Sequence, residues 1–150
     1  MENLFDTVSA DIKKAMLARD AVRLESLRGI KKEFLEAKTA KGSDGTLSDD
    51  RAIQILSKMV KQRRESAEIY TQQNRPELAE AELAQAAVIE EYMPKQLSPE
   101  ELDAALREII ARVGATSPKK MGKVMGVASK ELAGKAEGRA ISAAVKALLS

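Results

Sequence analysis

The chain of 150 residues is 44% hydrophobic and 32% charged, has neither Cys nor His, and carries aromatic rings only at Phe5, Phe34, Tyr70 and Tyr92. These absences exclude a thiolate nucleophile, an imidazole base, a Ser-His-Asp triad, disulfides and Cys or His metal sites, and they argue against an aromatic platform for stacking single-stranded bases. The net charge is only +2, yet residues 113–150 hold 7 basic against 2 acidic residues, so positive charge gathers at the C-terminal end.

Apolar residues recur at helical spacing along the whole chain, and no segment alternates with period two, so the expected fold class is all-α. The first expected helix runs from about Asn3 to Arg19, with Leu4, Phe5, Val8, Ile12, Ala15 and Met16 on one face. The second runs from about Asp20 to Ala40 and would bury Leu24, Leu27, Ile30, Phe34 and Leu35; Asp20 is its expected cap. A Gly-containing loop at 41–46 separates it from a long third helix. Ser48 caps that helix, Asp49 and Asp50 sit at its positive dipole end, and Ala52, Ile53, Leu56, Val60, Ala67 and Tyr70, with Met59 as a further candidate, form the inward stripe. Pro76 suits the first turn of a fourth helix that would face Leu78, Leu83, Ala86, Ile89 and Tyr92 inward.

The stretch Met93-Pro94-Lys95-Gln96-Leu97 breaks the periodicity and marks the expected boundary between domains 1–94 and 95–150. Beyond it, Ser98-Pro99-Glu100-Glu101 is a capping box that opens a fifth helix carrying Leu102, Leu106, Ile109, Ile110 and Val113, which stops at Gly114. Ser117-Pro118 repeats the Ser-Pro start, and a sixth helix is expected from Lys119 to Ala133. A seventh follows from about Arg139 to Leu149. The expected architecture is therefore a bundle of about four helices followed by a small three-helix domain.

The sixth segment is the most unusual. Gly122 and Gly126 lie four apart on one helical face, and a glycine inside a helix costs about 1 kcal/mol relative to Ala. Either another helix packs against the bare backbone, or a ligand backbone such as a phosphodiester approaches it. Lys119, Lys120 and Lys123 accompany the glycines near the helix start, where backbone amides favour an anion, and Lys130, Lys135 and Arg139 follow. A second basic cluster, Lys58, Lys61, Arg63 and Arg64, sits on the third helix. There Lys61 with Glu65 and Arg64 with Glu68 are spaced for local ion pairs, so Lys58, Lys61 and Arg64 form only a secondary candidate patch. Arg23, Arg28, Lys31 and Lys32 on the second helix, interleaved with Glu25, Glu33 and Glu36, read as a solvated face. No catalytic residue, metal site or cofactor is assigned, since there is no phosphate-binding glycine loop and no strand to present one. With no apolar run near ~20 residues and no basic leader at the N-terminus, a cytoplasmic protein without a membrane span or signal peptide is expected.

The run Ser117-Pro-Lys-Lys-Met-Gly-Lys-Val-Met-Gly126, followed by Gly134-Lys-Ala-Glu-Gly138 and a short last helix, resembles the tail domain of GatB, a subunit of tRNA-dependent amidotransferases. With Lys13-Lys-Ala-Met-Leu-Ala-Arg-Asp20, Arg23-Leu-Glu-Ser-Leu-Arg28, Lys61-Gln-Arg-Arg-Glu-Ser66 and Glu90-Glu-Tyr-Met-Pro-Lys-Gln-Leu97, nearly the whole chain is similar to the stand-alone GatB/YqeY family. The resemblance implies a helical N-terminal unit joined to a tail-like unit that helps to hold tRNA, in the company of an aminoacyl-tRNA synthetase or an amidotransferase subunit. It also implies the family's label, a carbon–nitrogen ligase with glutamine as amido donor, although the catalytic body that activates the aminoacyl-tRNA in GatB has no counterpart here. Lys120 stands where an acidic residue is frequent in the family, and Glu137 where Asp is usual; the latter weakens the expected cap of the last helix.

Three functions follow as expectations. The first is a non-catalytic tRNA-binding accessory protein that reads folded RNA through phosphates. Its contacts are Lys119, Lys120, Lys123, Gly122 and Gly126, with Lys130, Lys135 and Arg139 around them. The second is an adaptor that docks on a synthetase or amidotransferase subunit. The third, an amidotransferase acting by itself, is disfavoured by the missing His, Cys and nucleotide loop.

Overall fold

A computed structural model describes residues 3–150, and every regular element among them is helical: α1 (Leu4–Ala18), α2 (Ala21–Thr39), α3 (Asp49–Gln72), α4 (Pro76–Glu90), α5 (Pro99–Val113), a 3-10 turn (Pro118–Lys120), α6 (Met121–Glu131) and α7 (Gly138–Leu149). The all-α expectation holds. The chain divides into two compact units, one ending at Met93 and the other spanning Pro94–Ser150.

In the first unit, α1 and α2 form a hairpin with a two-residue turn. Arg19 takes the left-handed conformation (φ 57°), the Asp20 amide donates to the Ala15 carbonyl at 3.1 Å, and the Asp20 carboxylate accepts from the Arg23 amide at 3.0 Å. Asp20 thus supplies the expected cap, and the strained turn residue is an arginine rather than a glycine. Ser48 caps α3 through the Arg51 amide at 3.1 Å, while Asp49 reaches back to accept from the Leu4 amide at 3.0 Å. Val8, Leu27, Ile30, Phe34, Leu56 and Ile89 fill one apolar core. The Tyr92 hydroxyl closes its end by donating to Asp11 at 2.6 Å. Burial, then this bond, push the phenol pKa well above its ordinary value.

The expected inward stripes need correction. Met16, Leu35, Leu78 and Leu83 are exposed, whereas Ile55, Ala79 and Val88 are buried. The reason on α4 is polar. Arg63 of α3 donates to Gln85 at 3.0 Å and lies 3.8 Å from Glu82, and Arg64 pairs with Glu90. These contacts occupy the seam between α3 and α4 together with the small Ala79 and Ala86, so α4 turns its leucines outward. On α1 the chain reverses just past Ala15, which leaves Met16 on the outside of the turn.

In the second unit the capping box forms in full: the Ser98 hydroxyl accepts from the Glu101 amide at 3.1 Å, and the Glu101 carboxylate accepts from the Ser98 amide at 3.0 Å. Gly114 ends α5 at φ 76°, a conformation that favours glycine. Leu102, Leu106, Ile109, Val124, Ala128, Ile141 and Val145 form a separate core. The segment before α5 is tied to the α6–α7 turn by the Leu97 amide, which donates to the Lys135 carbonyl at 2.8 Å. No helix among the described residues is long and apolar enough to cross a membrane.

Candidate nucleic-acid interface

The sixth helix begins later than its sequence suggests. Pro118–Lys120 form a 3-10 turn, and α6 proper spans Met121–Glu131. The Lys120 amide donates to the Ser117 carbonyl at 3.0 Å, and the Met121 amide to the Pro118 carbonyl. Two amides expected to greet an anion are therefore turned back onto the chain. Lys119 and Lys120 belong to this turn rather than to the first turn of an α-helix, and Ser117 makes no side-chain cap.

Val124 and Ala128 anchor the inner face of α6 in the core. At 100° per residue, Gly122, Gly126, Lys130 and Lys123 fall on the opposite side, and Gly122, Lys123, Gly126, Val127, Lys130 and Glu131 line one open groove. The glycines decide how this face is read. A Cβ built at either Gly122 or Gly126 meets nothing within 4 Å. The packing explanation for the two glycines therefore fails, and what remains is bare helical backbone flanked by two ammonium groups.

Glu131, the one carboxylate of the groove, is held by Arg112 of α5 in a two-pronged ion pair of 2.5 and 2.8 Å. The hydrogen bond from Arg112, reinforced by its charge, keeps the Glu131 carboxyl below the usual carboxylate range. The groove's field is thus set by Lys123 and Lys130. This clamp was not legible in the sequence, because its partners are 19 residues apart on different helices. Val127 lines the groove only from its edge, where it also packs against the core of the second unit.

Of the remaining candidates, Lys135 lies in the α6–α7 turn and Arg139 in the first turn of α7; both are exposed, and neither lines this groove. Glu137 precedes α7 without a side-chain cap bond, as the departure from Asp suggested. The secondary patch on α3 is also exposed at Lys58, Lys61 and Arg64, and Arg64 pairs across to Glu90 of α4, since a long guanidinium reaches the adjacent helix as easily as the next turn. Among the described residues no group of three or more Asp or Glu side chains is placed to hold a metal ion.

A family profile described as YqeY-like protein matches residues 5–149. The chain belongs to the YqeY-like family, whose domain is also found in GatB tails. Curated relatives include three proteins named "Altered inheritance of mitochondria protein 41, mitochondrial". That of Meyerozyma guilliermondii is 37% identical over 59% of this chain and 45% of its own length. That of Lachancea thermotolerans is 29% identical over 72% of this chain and 58% of its own. That of Clavispora lusitaniae is 30% identical over 75% of this chain and 65% of its own. The chain spans about half to two thirds of the length of these relatives. Their names, which place those relatives in mitochondria, overturn the cytoplasmic expectation, because composition does not report on compartment.

Proposed function

We propose that the protein is a non-catalytic tRNA-binding accessory factor whose second unit grips phosphates of folded tRNA along the outer face of α6. The observation that carries this reading is the open Gly122/Gly126 backbone between Lys123 and Lys130, which no side chain of the second unit covers. A phosphodiester can approach a glycine backbone more closely than one screened by Cβ atoms, and the two lysines supply the counter-charge. Lys119 and Lys120 extend the positive surface from the preceding turn, and Lys135 and Arg139 add to its general field. With four aromatic rings in the chain, three of them in or against the first unit's core, recognition would rest on RNA shape and phosphates rather than on stacked bases.

A tRNA titration at two salt concentrations tests the proposal. Affinity should fall by ~0.7–0.9 log units per log of salt for each phosphate neutralised. Replacing Lys119, Lys120 and Lys123 together by Glu should abolish binding while the far-ultraviolet circular dichroism stays unchanged. Unaltered affinity in that variant rejects the site.

The adaptor reading draws support from a different surface of the same unit, an apolar groove along Leu97, Pro99, Leu102, Ala136, Ala140 and Ala144 that could take a helix of a synthetase or amidotransferase subunit. Co-purification that survives nuclease and high salt would favour it; a complex lost under either treatment would count against it.

A further inference from the structure

On the first unit, Arg28, Lys31, Lys32, Leu35, Glu36 and Thr39 of α2 line one shallow groove. Their spacing places them on one helical face, turned away from the core to which Leu27, Ile30 and Phe34 contribute. Among the described residues Arg28, Lys31 and Lys32 have no ion-pair partner, whereas Arg23, Arg63 and Arg64 of the same unit are all paired. The Lys38 ammonium stands 4.0 Å over the Phe5 ring and Lys31 is 5.9 Å from the same centroid, so the basic face continues beside the groove. In its midst Leu35 remains 42% exposed. A cationic face with an apolar centre and a carboxylate at its edge suits an acidic amphipathic helix better than a bare polyphosphate.

Helix α4 has the inverse character. It carries Glu77, Glu80, Glu82 and Glu90 and no Lys or Arg. Arg63 and Arg64 engage Glu82 and Glu90, but Glu77 and Glu80 are exposed and have no ion-pair partner among the described residues, and Leu78 and Leu83 of the same helix are exposed as well. Within one copy, α2 and α4 share a core through their inner faces, which keeps their outer faces apart. Between two copies these faces can meet.

We infer that two copies of this chain associate through the outer face of α2 on one and that of α4 on the other, with Leu83 against Leu35 and Glu77 and Glu80 opposite Arg28 and Lys32. Each copy carries both faces, so the contact is heterologous: it first forms a dimer and can repeat head to tail as concentration rises. The contact is built from solvated charges and few leucines, which makes it a weak, salt-sensitive association. It rests on surfaces of the first unit and stands or falls independently of tRNA binding by the second.

Sedimentation velocity of the full chain, stripped of nucleic acid, tests it at roughly 50 mM and 500 mM salt, where the screening length falls severalfold. The expected result is reversible association in low salt, dimers first and larger species as concentration rises, and a monomer in high salt. R28E/K32E and E77K/E80K should each weaken the dimer by about tenfold or more, and an equimolar mixture of the two should restore a mixed dimer. Leu35→Ala and Leu83→Ala probe the same contact without altering charge and should also weaken it. A chain that stays monomeric in low salt at high micromolar concentration overturns the inference. So does a dimer indifferent to both charge reversals, or a mixture that remains monomeric. Loss of tRNA binding in R28E/K32E without any dimer in the parent would assign the α2 groove to RNA instead.

Discussion

Two helices of this protein contain interior glycines beside basic residues, and they use them in opposite ways. On α2, a Cβ at Gly29 would meet the Arg63 guanidinium at 3.6 Å and the Met59 methyl at 3.9 Å, so that glycine makes room for a side chain that goes on to Glu82 and Gln85. On α6, the sites of Gly122 and Gly126 meet nothing within 4 Å, and Lys123 and Lys130 have no ion-pair partner among the described residues. Near α3 the cations join helices. On α6 they stand on an open face. Similar local sequence chemistry therefore serves the fold in one unit and leaves bare, basic backbone in the other.

Four measurements can break or sharpen that contrast. The largest effect is expected from reversing charge in each place. Arg63→Glu with Arg64→Glu would set like charges against Glu82 and Glu90 and should lower the stability of the first unit by about 1–2 kcal/mol, from two pairs each worth up to ~1 kcal/mol when exposed. Lys123→Glu with Lys130→Glu should change stability by less than about 0.5 kcal/mol and instead remove tRNA binding and its salt slope. Denaturant melts and titrations on both variants decide, and the contrast fails if the α6 pair unfolds the protein or the α3 pair does not destabilise it.

Gly122→Ala with Gly126→Ala is the next largest. With open space around both positions, each replacement should stabilise α6 by about 0.5–1 kcal/mol, while the added methyls weaken tRNA binding. A gain in stability with unchanged affinity would show that the bare backbone is not part of the interface.

Arg19→Gly should stabilise the α1–α2 turn by roughly 0.4–1 kcal/mol, because glycine accepts the left-handed conformation that the arginine adopts at φ 57°. Thermal melting reads this directly. A destabilised variant would mean that the arginine side chain contributes more than its backbone costs.

The smallest effect concerns acid. Hydrogen bonds from Ser98 hold Glu101 below the usual carboxylate range, and Arg112 does the same for Glu131. A depressed folded-state pKa adds stability that is present above the unfolded value and is lost as pH falls through the folded value. The second unit should therefore weaken below about pH 4.5, where carboxylates of the unfolded chain begin to protonate. Replacing Glu131 and Glu101 by Gln should flatten that part of the pH profile.

Much of the fold is legible along the chain because helices carry their own signals. Asp20, Ser48 and Ser98 are read as caps and act as caps, since capping needs only the next three residues. Leu27, Ile30 and Phe34 on α2, and Leu102, Leu106 and Ile109 on α5, follow from periodicity in the same way. The inward face of α4 does not, because Arg63 and Arg64 reach Glu82, Gln85 and Glu90 on a different helix and set the rotation of α4. The candidate site shows the same division. Gly122, Lys123, Gly126 and Lys130 share a helical face by spacing alone, whereas the retreat of Lys119 and Lys120 into a 3-10 turn depends on how the segment after Pro118 bonds to itself.

The sequence by itself determined the all-helical class, the helix caps, the family and the concentration of positive charge near the C-terminus. All of these reside in short spacings or in composition. Tertiary structure alone decided that no helix covers the α6 glycines, that Glu131 is neutralised by Arg112, and that the leucines of α4 point outward. Whether a surface is filled, paired or left open depends on residues far apart in the chain, and only folding brings them together.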